Sequence, residues 1–400
     1  MLKNSLQLIC ILSLFMLSGC WDLQEINDSA ITTAVGIERQ DDDKIAFSTR
    51  LIRPLPPGEA GSGEVEWVVA TASDYSVAMA ARRLTLSLSK VPEWSHVKTF
   101  ILGEKLVGQD LSLIIDFMTR NRHLRPDINL LIASQSSPEE LLSSYLPQVT
   151  ELGGGLNDIL KLNEKQLGIY VGTTMEEFTY KLMTPGIEPV VPQITLEMAQ
   201  EKSPPEKTGD KNSGNTNNKN VIILKGMAVF KGERMVGAMN ETESRGYRWL
   251  NSSSQAGGLF NAVSPSHENE HITLEIVRFS TKTRPQLSSN NLKMIIEIDS
   301  DLGFYEQDFV SDILTLETKT QLQEAANQEI EKQVAACINK AQFLGSDVLG
   351  WGRILQEHEP DKWKEMSDAW AEQFPLVEYE IHIKSNIIRT MLTSKSFYFK

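Results

Sequence analysis

The chain has 400 residues, 41% hydrophobic and 23% charged, with 53 acidic against 39 basic side chains and a formal net charge of −14. That composition argues against wholesale disorder, and the length exceeds what one hydrophobic core organises, so two or three domains are expected. The acidic balance argues against a nucleic-acid-binding surface and against charge-driven adhesion to anionic lipid, so a membrane-bound form needs another attachment.

The first twenty residues offer one. Lys3 is a minimal positive start, and residues 6–17 (LQLICILSLFML) form an apolar run. As a helix this run covers about 18 Å, short of a roughly 30 Å hydrocarbon core, so residues 1–19 read as a signal peptide. Leu17-Ser18-Gly19-Cys20 then resembles a bacterial lipobox. Small side chains at 18 and 19 let the backbone enter a peptidase cleft, with cleavage expected between Gly19 and Cys20. The Cys20 thiol would carry a diacylglyceryl group, and its freed amine a further acyl chain such as palmitate. At about 0.8 kcal/mol per buried CH₂ one chain holds weakly, so two or three are needed. Cys10 would leave with the leader. Cys337 would then have no partner, and its place in a helical pattern with Ile330, Val334 and Ala341 marks it as a small core residue.

Residues 20–30 form a short tether, and ten residues reach at most about 36 Å. An apolar run covers 31–37. Strands are expected at 46–52, 65–70, 97–102 and 128–133, with helices at 76–88 and 111–118. Ser137-Pro138-Glu139-Glu140 carries a capping box with proline at the first helical position, and Thr174-Met175-Glu176-Glu177 repeats that logic. Residues 31–200 thus form an N-terminal α/β domain. The stretch 201–220 (EKSPPEKTGDKNSGNTNNKN) has no apolar side chain and reads as a mobile linker or protruding loop, hence a domain boundary. A hairpin follows: VIILKGMAVF, a turn at Lys231-Gly232-Glu233, then RMVGAM. Strands are expected at 272–281, 292–298 and 377–384, and helices at 308–343 and 361–373. Residues 221–400 form an α+β region, either one domain or two divided near Gly303. The chain as a whole is placed in the α+β class, with several domains of mixed sheets and packed helices.

His267-Glu268-Asn269-Glu270-His271 spells the zinc-peptidase string H-E-x-x-H. That spacing works on a helix, where i and i+4 share a face, but here it follows Ser264-Pro265-Ser266 and runs into strand-like ITLEIVRFS. On a strand, i and i+4 lie about 13 Å apart, too far for one ion, so no metal site is expected. Gly153-Gly154-Gly155 lacks the Lys-Ser/Thr of a phosphate loop and reads as a flexible turn. Glu357, His358, Glu359 and Asp361 surround Pro360 in a polar loop that starts the next helix, and His96, His123 and His382 are isolated. The chain is read as non-catalytic, with no cofactor.

Three stretches together resemble the Ger(x)C family of spore germination lipoproteins. They are Cys20-Trp21-Asp22-Leu23-Gln24-Glu25-Ile26-Asn27-Asp28 after the lipobox; Lys225-Gly226-Met227-Ala228-Val229-Phe230-Lys231-Gly232, with Leu250 closing a segment after Arg245-Gly246-Tyr247; and Asp347-Val348-Leu349-Gly350-Trp351-Gly352. The resemblance implies a C-type subunit of a nutrient germinant receptor, on the outer face of the spore inner membrane. It implies partnership with an A-type subunit bearing a soluble head and with a multispanning, transporter-like B-type subunit. It also implies a response to small nutrients and a three-domain mixed fold without known catalytic residues. From the residues alone, a substrate-binding lipoprotein of a nutrient importer shares the signal and the two-part composition; direct nutrient binding is left open.

Overall fold

Side-chain alternation along the first strands is buried on both faces, so this half of the chain builds a sheet between two helical layers. The computed structural model describes residues 29–53, 66–109, 111–146, 151–198, 220–251, 256–264, 270–288, 291–307 and 315–389. Nine strands form the first sheet: β1 (Ser29–Arg39), β2 (Ile45–Arg53), β3 (Glu66–Asp74), β4 (Val91–Glu93), β5 (Thr99–Gly103), β6 (Asn129–Ala133), β7 (Val190–Met198), β8 (Asn220–Lys231) and β9 (Arg234–Met239). Their order is β3-β2-β1-β5-β6-β7-β8-β9, with the short β4 beside the first residues of β1. β1 to β3 form an antiparallel meander, β1, β5, β6 and β7 run parallel, and β7 to β9 are antiparallel again.

The helices of this half are α1 (Val77–Arg83), α2 (Glu104–Val107), α3 (Ser112–Arg120), α4 (Pro138–Ser143), α5 (Leu152–Gln166) and α6 (Met175–Met183). Val35, Ile37, Phe100, Leu102, Leu130 and Ile132 point to one face and pack with Val77, Leu106, Ile114 and Phe178 of α1, α2, α3 and α6. Ala34, Ile101, Leu131 and Ala133 point the other way, against Leu141, Leu142, Leu152 and Leu156 of α4 and α5. Both capping boxes are present: Ser137 and Thr174 accept from the Glu140 and Glu177 N–H groups, and those glutamates reach back.

The second half comprises α7 (Glu241–Leu250), β10 (Leu259–Val263), β11 (His271–Ser288), β12 (Asn291–Gln307), α8 (Leu316–Leu344), α9 (Trp351–His358), α10 (Pro360–Met366), α11 (Trp370–Gln373) and β13 (Glu378–Arg389). The four strands pair in the order β10-β11-β12-β13, the last pair parallel. Against this sheet α8 lays Ile330, Val334, Cys337 and Ala341 on one stripe, at the i, i+4, i+7, i+11 spacing of an inward face. Met227 and Val229 of β8 join this core, while Ala228 and Phe230 face the first. The two halves therefore share β8, whose alternate side chains enter both cores. The fold is α+β with mixed sheets.

Several elements depart from the sequence pattern. Gly153-Gly154-Gly155 is no turn but the start of α5, with the Glu151 carboxylate accepting from Gly154 N–H at 2.7 Å. A side chain at Gly153 would meet the Thr33 carbonyl at 1.9 Å, so glycine lets the helix press on β1. The expected helix at 361–373 is broken into α10, a 3₁₀ turn at Ser367–Ala369, and α11, which brings Trp363 and Trp370 to 5.5 Å. β12 runs unbroken through Gly303, with only a register shift there against β13. Residues 201–219 lie outside the described residues; β7 and β8 on either side of them are sheet neighbours.

Candidate functional site

The stretch from Asp347 to Gly352 has a local explanation. Gly350 takes φ +68°, and Asp347 turns back to cap α9: the N–H groups of Trp351 and Gly352 and the Trp370 indole N–H donate to its carboxylate at 3.0, 2.8 and 2.9 Å. Burial pushes this carboxyl up to about 6, against the lowering effect of the three donors. A side chain at Gly352 would meet Gly186 Cα and Trp370 Nε1, each at 2.7 Å. In Arg245-Gly246-Tyr247, Gly246 is where α7 crosses α8: an added Cβ would lie 2.0 Å from the Gln333 carbonyl and 2.7 Å from Cys337 Cβ. Beside it the Trp249 indole donates to Gln333 Oε1 at 2.9 Å. The Lys225–Gly232 stretch is β8 and its turn, the pair that links the cores. All three sites are architectural.

The chemical leads do not come together. His267 and Glu268 lie outside the described residues, and His271 is the first residue of β11, paired with Val263. His382 meets Glu380 at 3.0 Å on an exposed face, and His358 Nδ1 lies 3.0 Å from the Ile354 carbonyl. Cys337 is fully buried, and desolvation pushes its thiol far up, so it is inert. Among the described residues there is no group of three or more His, Cys, Asp or Glu side chains placed to hold a metal ion. No described helix is long and apolar enough to cross a membrane. Gly19 and Cys20 lie outside the described residues. The described chain starts at Ser29, which pairs with Val91 of β4.

Val91 borders a cavity of about 650 Å³ between α1, α3, β4 and the adjoining face of the large sheet. Its floor is closed to water by Phe47, Phe100, Leu106 and Ile114, each at most 2% exposed. Trp94 and Phe117 stand edge-on to Phe47 with ring centres 5.5 and 6.5 Å away. The space exists because α1 presents Ala78 and Ala81 to it where larger side chains would fill it. The rim is charged. Arg39 pairs with Asp43 at 3.5 Å and Arg120 pairs with Asp116 one turn away. Glu93 is raised by partial burial, but hydrogen bonds from Ser95 and the charges of His123 and His96 outweigh that and hold its carboxyl low. Arg82, in the last turn of α1, has no hydrogen bond or ion pair from its guanidinium to the described residues. Sequence patterns did not mark this cavity; the run of alanines in VAMAARR was its single local trace.

Residues 22–196 match the family model described as the spore germination protein N-terminal domain, and residues 225–391 match the spore germination B3/GerAC-like C-terminal model. Similar proteins include spore germination protein KC of Bacillus subtilis (strain 168), 23% identical over 402 residues, with 98% of this chain and 96% of the relative covered. Spore germination protein B3 of the same organism is 22% identical over 388 residues, covering 94% and 95%. The crystal structure of the GerBC protein shares the fold, with a TM-score of 0.56 at 16% identity over 88% of this chain and 96% of that one. The chain belongs to the Ger(x)C family of spore germination proteins, the C-subunit family of germinant receptors.

Proposed function

We propose that this chain is the lipid-anchored, non-catalytic C-type subunit of a spore nutrient germinant receptor. It sits on the outer face of the membrane beside A-type and B-type subunits. The observation that carries this reading is a lipobox, Leu17-Ser18-Gly19-Cys20, placed directly ahead of a family match that begins at residue 22. Cleavage would free Cys20 to hold two or three acyl chains, and the eight residues between Cys20 and Ser29 span at most about 30 Å. The folded body is then confined to a thin shell over the bilayer. This raises its effective concentration for integral partners, which suits a subunit that works by contact. The acidic body gains nothing from anionic lipid, so the lipid must do the holding. Residues 31–200 and 221–400 serve as its two working parts.

Substituting Cys20→Ala and following the chain through membrane fractionation of spores tests the anchor directly. The variant is expected in the soluble fraction, with the nutrient response severely weakened. Unchanged membrane retention would refute the anchor, and an unchanged nutrient response on deletion of the gene would refute the receptor role.

A further inference from the structure

A space of about 650 Å³ lies within the roughly 300–1,000 Å³ typical of small-ligand sites, and its floor is carbon. Above that closed floor, water in the cavity meets mainly carbon, from Ala78, Ala81, Trp94, Leu113, Phe117 and Leu124, so the space is poorly hydrated and an apolar guest displaces that water favourably. The half-buried rings of Trp94 and Phe117 stand edge-on to the buried Phe47 and line the space, where a further flat group can pack against them. The rim fixes the polarity of the guest. Arg39 and Arg120 are engaged by Asp43 and Asp116, and Glu93 accepts from Ser95. Arg82 alone among the rim cations is left without an anionic partner in the described residues, and an unengaged guanidinium favours a carboxylate or a similar head. Exposed Tyr75 and Leu113 flank the mouth and would cover the body of a bound molecule.

We propose that this cavity is a binding site for a small amphipathic organic acid, its ring-sized apolar body held between Trp94 and Phe117 over the closed floor and its anionic head on Arg82. The site does not rest on the lipid anchor and goes beyond the subunit's place in a receptor.

The test uses full-length protein in detergent, a detergent blank, and two probes: 3-phenylpropionate and its uncharged amide, 3-phenylpropanamide. Binding is read by ligand-observed saturation-transfer NMR and titration calorimetry. The acid is expected to bind saturably and the amide on the order of tenfold more weakly, the difference a charge-assisted hydrogen bond makes. Arg82→Gln should bring the acid down to the amide's level and leave the amide unchanged. Ala81→Trp should fill the cavity and abolish both; Ala78→Trp, on an exposed position of the same wall, replaces it if circular dichroism shows the first variant misfolded. Cys20→Ala should bind like wild type, so failure of the anchor and failure of this site give different results. No saturable binding of the acid, equal binding of acid and amide by wild type, or undiminished binding by a folded tryptophan variant would each overturn the assignment.

Discussion

Replacing Asp347 with alanine tests the account of the Asp347–Gly352 stretch. The substitution strands three donors in a fully buried place: the N–H groups of Trp351 and Gly352 and the Trp370 indole N–H. An orphaned buried donor costs about 1–3 kcal/mol, so three at about 2 each cost roughly 6 kcal/mol. Against this, alanine relieves the burial of the carboxylate. That carboxyl is pushed from 3.8 to about 6, and at about 1.36 kcal/mol per pH unit the relief is roughly 3 kcal/mol at pH 7. A net loss of about 3 kcal/mol remains at pH 7. Because the folded value is the higher one, the wild-type group's contribution is fullest below pH 3.8 and is lost as pH rises through about 6. Wild type is therefore favoured at pH 5 over pH 7, and the loss on substitution should be about 1 kcal/mol larger at pH 5. Urea unfolding followed by far-ultraviolet circular dichroism at both pH values measures it. A loss under about 1 kcal/mol at both, or a greater loss at pH 7, would refute the buried cap.

Gly246→Ala drives a methyl group into the Gln333 carbonyl, so α7 and α8 must part; a loss of about 1–3 kcal/mol is expected, seen as a lowered melting temperature, and an unchanged melt would place the crossing elsewhere. Trp249→Phe removes the donor to Gln333 Oε1 while keeping a ring against Phe260 and Phe279, and should cost about 1–2 kcal/mol in the same assay. Cys337 should stay unreactive toward an aromatic disulfide reagent in native buffer at pH 8 and react fully in denaturant; rapid labelling of the folded protein would contradict its burial.

Features written in a few adjacent residues were legible. Ser137 and Thr174 announce α4 and α6 because a capping box is closed within four residues, and the Lys231-Gly232 turn announces the β8–β9 hairpin for the same reason. What depends on distant partners was not. Three glycines read as a turn until the Thr33 carbonyl is seen to occupy the place a side chain would take. A single helix was expected over 361–373, where Trp363 and Trp370 would share a face about 10.5 Å apart; the break between them brings the two rings to 5.5 Å while Trp370 donates to Asp347. The polar run at 201–220 coincides with the gap between the two matching family models, yet no local signal said that the strands flanking it would pair in one sheet. Cys20 stands out as a local string ahead of the described fold. The cavity could not stand out, since it is defined by side chains that are absent and by rings from three separated segments.

The placement of β1 has a mechanical consequence. Ser29 opens a strand that lies inside the nine-stranded sheet, bonded to β2 on one side and to β4 and β5 on the other. Ladder bonds run across the strands, so tension applied through the residues ahead of Ser29 is directed along β1 and loads both ladders in shear, many bonds at once. An edge strand peeled from its end would yield bond by bond. The polypeptide is thus gripped at a point suited to bearing load, and displacement of its leading end is transmitted to the whole first layer as one rigid unit.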